Sequence, residues 1–248
     1  QGTNLAAVDT IAACAKHYAA YGFAEAGRDY NTVDISESTL RNVVLPPFKA
    51  AADAGAATFM NSFNEIGGVP TTGSVHLQRD ILKGEWGFKG FVVSDWGSIG
   101  EMVRHGFSED LAHAAQQAIT AGSDMDMEAR AYIGHLAALV KSGKVDVRLV
   151  DEAVRRVLRV KFALGLFDDP YRYSDAGREK AATLTPANLA AARDVARKSI
   201  VLLKNDGILP LSKAAGTIAV IGPLADDKDA PLGNWRGRGE ANSAVSLL

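Results

Sequence analysis

Four times before about residue 167, a short apolar run is followed by a helical pattern. This repeat constrains the fold more than any other feature. Strands that recur in such a series run parallel and are joined by crossover helices. The apolar runs cover residues 12–18, 56–63, 88–94 and 123–127. In the third, Phe91, Val92 and Val93 predict a strand buried on both faces. Ser36 is placed to cap the helix after the first run, with Glu37 and Arg41 paired at i,i+4 and Gly55 as its stop. Ser74 caps a helix that ends near Gly84. Ser108 caps another, with Leu111, Ala115, Ala118 and Ile119 on one side. Val150, Val154, Val157 and Leu158 form the apolar stripe of the last helix.

A doubly wound sheet and a (β/α)8 barrel both fit this order. The polar residues favour the barrel. They fall at strand C-terminal ends: Lys16 and His17, Asn61 and Asn64, Asp95, then Asp124 and Asp126. In a barrel those ends converge on one face, where active sites lie. Four units make half a barrel, and an open half would expose long strand edges. Other segments therefore complete it, or the chain is a fragment. The fold class expected is α/β, with residues 1–167 as the second half of the barrel. Residues 168–186 turn polar and rich in turn formers, as a linker does. Thr185 and Pro186 then make an N-cap and first-turn pair. A helix to about Leu203 and a strand over 217–222 read as the start of a second α/β domain spanning 187–248, cut off at Leu248.

Charge and composition remove whole classes of function. The net charge of −2 and pI of about 6.2 give no basic field for nucleic acid or anionic lipid. No apolar run reaches the ~18 residues of a membrane helix. Cys14 is the single cysteine, so no internal disulfide forms. No signal peptide is visible at Gln1.

Asp95 is the sharpest chemical candidate. It ends an apolar strand and is followed by Trp96 and Gly97. A carboxylate that attacks a sugar carbon needs such a rigid mount and must stay ionised. Trp96 offers a flat apolar face to a sugar ring. The plainer role for Asp95 is to cap the next helical turn. Lys16 suits hydroxyl binding, a Schiff base or an ordinary ion pair. Met60 and Phe63, beside Asn61 and Asn64, suit either a sugar with its mixed faces or core packing and turn chemistry. Asp124 and Asp126 share one strand face, yet no third ligand joins them to hold a metal. Arg28, Asp29, Tyr30 and Asn31 form a polar loop read as structural. The glycine-rich stretch 233–239 lacks the ending of a phosphate loop. His76, His105, His113 and His135 show no ligand spacing.

Several segments together resemble glycoside hydrolase family 3, especially the bacterial periplasmic β-glucosidases. They are Lys16-His17-Tyr18 with Ala19-Ala20-Tyr21-Gly22, Tyr30-Asn31-Thr32-Val33-Asp34, and Asn64-Glu65-Ile66-Gly67-Gly68-Val69-Pro70. Trp86 through Trp96, Lys161 through Phe167 with Pro170, and Ser199 through Asn205 with Leu209-Pro210-Leu211 complete the set. The resemblance runs over nearly all 248 residues.

It implies the second half of a catalytic barrel followed by the start of an α/β sandwich. It implies a retaining, exo-acting β-glycosidase with Asp95 as nucleophile. Lys16 and His17 would hold sugar hydroxyls, Met60 and Phe63 would lie near the sugar, and Trp96 would line the pocket. Many relatives carry Tyr where Phe63 stands. The family's acid/base is usually a Glu beyond the segment that ends at Leu248. One branch uses a His after the Lys-His strand, and residues 19–31 contain none. The partners implied are a small-molecule β-glucoside or an oligosaccharide, with β-xylosides and arabinosides behind. No metal, organic cofactor, nucleic acid or membrane is called for, and a homo-oligomer is compatible with all of this. The implied location is periplasmic or secreted. The alternative is a catalytically incomplete fragment that binds sugar or assembles with another copy. A Lys16 Schiff-base aldolase is a further rival.

Overall fold

The computed structural model describes residues 1–248 and divides into two compact units, Gln1–Ala176 and Gly177–Leu248. The first unit is built on three parallel strands, β1 (Cys14–Tyr18), β2 (Thr58–Asn61) and β5 (Phe91–Val93), in the order β1-β2-β5. Between β2 and β5 lies a small antiparallel hairpin of β3 (Glu65–Ile66) and β4 (Val69–Pro70). Neighbours in the parallel sheet follow chain order, without the reversal that a doubly wound sheet contains.

The fourth expected strand is reduced to one parallel bridge, Val93 to Met125. The third is shorter than expected and buried on one face only. Val92 is fully buried, whereas Phe91 and Val93 are half-buried.

The helix after β1 starts as read. Ser36 Oγ accepts the Thr39 N–H at 3.1 Å, and Arg41 reaches Glu37 at 2.6 Å. It comprises α1 (Glu37–Thr39), a wider-turned stretch over Leu40–Val44, and α2 (Leu45–Asp53). Gly55, at φ +84°, turns the chain away. Ser74 Oγ accepts the Leu77 N–H at the head of a second wide-turned helix, His76–Glu85.

Next come α3 (Ser98–Arg104) and α4 (Leu111–Ala121). Asp110, not Ser108, caps α4, accepting the His113 N–H at 2.8 Å. Ser108 lies too far upstream and instead donates to Gln117 at 2.5 Å. The unit ends with α5 (Ala131–Lys141) and α6 (Val147–Ala163).

Two apolar clusters hold the unit. Tyr18, Phe59, Ile81, Leu82, Phe88 and Val92 lie between the sheet and the first helices. Tyr18 is fully buried and donates its hydroxyl to Leu77 O at 2.9 Å, so its polar end is satisfied. The second cluster joins Ile99 and Met102 of α3 to Ala114, Ala115, Ala118 and Ile119 of α4. The α6 stripe is only partly used. Val150 packs on the second cluster, but Val154 is 49% exposed and Leu158 37%, while Ala153 and Val160 are the buried positions.

Residues 168–175 belong to the first unit. Arg172 donates to Ala6 O at 2.5 Å, and the Tyr173 hydroxyl donates to Leu164 O at 2.9 Å.

The second unit holds most of α7 (Ala176–Ala182) and all of α8 (Pro186–Ser199), which Thr185 caps through Asn188 N–H at 3.2 Å. The helix ends at Ser199 rather than near Leu203. Residues 217–222 form no strand, since no partner strand pairs with them. No residue after Gly165 is buried.

Candidate active site

The ends of β1 and β5 bring His17 and Asp95 together. β5 stops at Val93, and the chain turns through Ser94, Asp95, Trp96 and Gly97 into α3. Gly97 sits at φ +73°, a conformation that suits glycine at this tight entry. Asp95 does not cap α3. Its Oδ1 accepts the N–H of Trp96 at 2.7 Å, which fixes the carboxylate plane. The carboxylate is nearly buried, at 7% exposure, and its Oδ2 is buried with no hydrogen-bond donor. A buried carboxylate oxygen left unbonded is costly, so an arrangement that keeps one points to use.

His17, from the C-terminal end of β1, places Nε2 3.4 Å from that Oδ2, outside hydrogen-bonding geometry. Burial holds the imidazole below its ordinary pKa, although the Asp95 charge pulls the other way. At neutral pH the ring is uncharged, so its nitrogens are one donor and one acceptor. Lys16 precedes it, remains exposed, and its charge also disfavours protonation of His17.

Met60 on β2 pairs in register with Val93, two residues before Asp95, and is half-buried. Phe63 lies in the loop after β2 and is half-buried. The Tyr30 ring meets it edge-on at 4.5 Å, and Tyr21 lies at 5.9 Å. Tyr21 in turn lies 5.5 Å from the His17 ring, and its hydroxyl donates to Asp29. A row of rings thus runs from His17 through Tyr21 and Phe63 to Tyr30. Trp96 is 64% exposed beside Asp95.

Two further groups lie within reach of the Asp95 charge. Tyr30 belongs to a loop assigned a structural role, yet its phenol is raised by burial and by the charges of Asp29, Glu101 and Asp95. Glu101, in the first turn of α3, is raised by burial and also feels Asp95 and Asp29, against Arg104 and His105. Tyr30, Glu101, Arg104 and His105 line an open cavity of about 420 Å³. The only sequence signal for Glu101 is its place in the helix that follows Asp95.

Asp124 and Asp126 are taken by other work. Asp124 pairs with Lys83 at 2.7 Å, and Asp126 accepts the N–H groups of Ala129 at 3.2 Å and Tyr132 at 3.1 Å. Among the other histidines, His76 pairs with Glu37 at 3.1 Å, and His105 lies 3.8 Å from Glu65. No group of three or more His, Cys, Asp or Glu side chains is arranged to hold a metal ion.

Residues 1–160 match the profile of the glycosyl hydrolase family 3 N terminal domain, and residues 200–248 match that of the family 3 C-terminal domain. A periplasmic β-glucosidase of Salmonella typhimurium is 44% identical over 252 residues, covering 100% of this chain and 33% of that protein. A xylan 1,4-β-xylosidase of Xylanibacter ruminicola is 35% identical, covering 100% of this chain and 29% of that protein. Among solved structures, a variant β-glucosidase of Listeria innocua in complex with laminaribiose superimposes with a TM-score of 0.85. It is 42% identical, and the match covers 94% of this chain and 32% of that one. The chain spans about a third of the length of the relatives it matches.

Proposed function

The chain belongs to glycosyl hydrolase family 3, and on that premise we propose that it carries the nucleophile of a retaining, exo-acting β-glycosidase. One observation carries the reading. Asp95 sits at the rigid end of β5 with Oδ1 tied to its own chain and Oδ2 buried without a donor. That free oxygen is the atom that attacks the anomeric carbon. A general acid protonates the departing oxygen while a glycosyl-Asp95 ester forms. Water, deprotonated by the same group, then opens the ester and releases sugar with retained configuration.

His17 and Lys16 are proposed to bind hydroxyls of the sugar, with the neutral His17 ring able to donate or accept. Met60, Phe63 and Trp96 are proposed to meet its apolar faces. β-Glucosides are the leading substrates, since the β-glucosidase of Listeria innocua has been solved with laminaribiose and with glucose. β-Xylosides follow, from the Xylanibacter relative. The chain-order sheet is proposed as part of a (β/α)8 barrel, and a periplasmic location follows the Salmonella relative's name. No helix is long and apolar enough to cross a membrane.

The test uses a dinitrophenyl 2-deoxy-2-fluoro-β-glucoside, whose leaving group departs without an acid. Intact mass should show one sugar added, and peptide mapping should place it on Asp95. Asp95→Asn should abolish both the adduct and turnover while leaving the fold in place. An adduct on another residue, or near-normal turnover in Asp95→Asn, would falsify the assignment.

A further inference from the structure

We propose that Lys83 and Asp124 are positioning residues for Asp95: their buried contact locks β5 in the register that presents the carboxylate. The proposal rests on the reading of Asp95 given above.

β5 has three residues, and on the side away from β2 it makes a single bridge. A side chain supplies what that ladder lacks. The Val92 N–H donates to Asp124 Oδ2 at 2.8 Å, where a regular parallel ladder would offer a carbonyl, and the Asp124 N–H donates back to Val92 O at 2.8 Å. The pairing then climbs toward the site. Ser94 N–H donates to Met125 O, Met127 N–H to Ser94 Oγ, and Gly97 N–H to Met127 O, each at 2.8 Å. Asp95 lies inside this zip, with Ser94 and Gly97 pinned on either side.

The other oxygen of Asp124 takes the Lys83 ammonium at 2.7 Å, and Lys83 also donates to Gly122 O at 2.7 Å. The two side chains are only 5% and 3% exposed. Apolar residues of similar volume often serve stability as well as a pair this deep. They would not offer Val92 an acceptor, and that rung is what the pair uniquely provides.

The groups facing the pair come from several elements. Glu152 and Arg156 approach from α6, and Arg79 of the His76–Glu85 helix holds Glu152 at 2.9 Å. Tyr132 of α5 donates its hydroxyl to Ser123 O at 2.6 Å. Burial draws the Lys83 ammonium down to about 8, with Asp124 opposing. Above that pH, Lys83 sheds its proton and the charge that holds Asp124 is lost.

The test compares wild type, Lys83→Met and Lys83→Arg in the protein as it is encoded. Circular dichroism checks folding, and the readouts are kcat, KM, their pH profiles and the rate of fluoroglucoside trapping. Lys83→Met should lower kcat and the trapping rate on the order of 10- to 100-fold, the scale of a small misplacement at a reacting centre, with KM little changed. Lys83→Arg should recover most of that rate. It should also move the alkaline limb of the trapping rate upward, because guanidinium keeps its charge and trapping needs no general acid. Wild-type trapping in a folded Lys83→Met, or an unmoved alkaline limb in Lys83→Arg, overturns the proposal. If Lys83→Met does not fold, the Lys83→Arg profile decides. Absence of any adduct in wild type overturns the reading of Asp95 itself, and the pair's role with it.

Discussion

At the scale of single residues, Asp95 and His17 form an unequal pair. The carboxylate is held by its own backbone and keeps one oxygen free, while the imidazole stays neutral because burial outweighs its attraction to that charge. A pH dependence follows, with a definite sign. In the unfolded chain His17 takes up its proton near ~6.5, whereas in the fold it does so only at lower pH. Acidification through that window favours the unfolded chain, so the stabilising contribution is present above ~6.5 and lost as pH falls through the folded value. Urea midpoints at neutral and mildly acid pH should therefore drop further for wild type than for His17→Gln. An equal drop in both would remove the argument. Asp95 was legible in the sequence because it ends an apolar run and precedes a glycine. Tyr30 was not, because its closeness to Asp95 arises when a distant loop folds over the strand ends, and Glu101 was marked only by its place in the helix that follows Asp95.

At the scale of elements, the join between β2 and β5 depends on Gly90. A Cβ there would lie 2.0 Å from Ala57 O and 2.6 Å from the Phe88 ring. Backbone is the obstacle, so the strand entry itself must move. Gly90→Ala should cost at least ~1–3 kcal/mol, the usual range for overpacking, read as a lower urea midpoint. An unchanged midpoint would show that the entry is softer than its contacts indicate. The strand and helix alternation was legible because apolar runs and Gly55 mark it directly. Cap choice was not. Ser108 and Asp110 both have capping side chains, and only the folded chain shows that Asp110 reaches the His113 N–H. The stripe on α6 misled for a different reason. Period alone marks an apolar face, but not whether another element covers it, and Val154 and Leu158 remain substantially open.

At the scale of the molecule, the two units differ in what they bury. The first holds both apolar clusters, whereas Ile200, Val201, Leu203 and Ile221 in the second are 78%, 74%, 92% and 92% exposed. Amides in 200–222 should therefore exchange hydrogen early, while those of Val92 and Ser94, bonded across β5, should exchange with the slowest class. Slow exchange throughout 200–222 would contradict this division. The apolar run 217–222 predicts a strand that does not form, since such a run looks alike whether or not a partner pairs with it. The chain-order sheet also bears on biosynthesis. As the polypeptide leaves the ribosome, each strand meets a neighbour already made. His17 waits for Asp95, and Asp95 in turn is fixed only when Asp124 emerges, on the order of 30 residues later. At ~5–20 residues per second, the nascent site spends a few seconds assembled but unlocked.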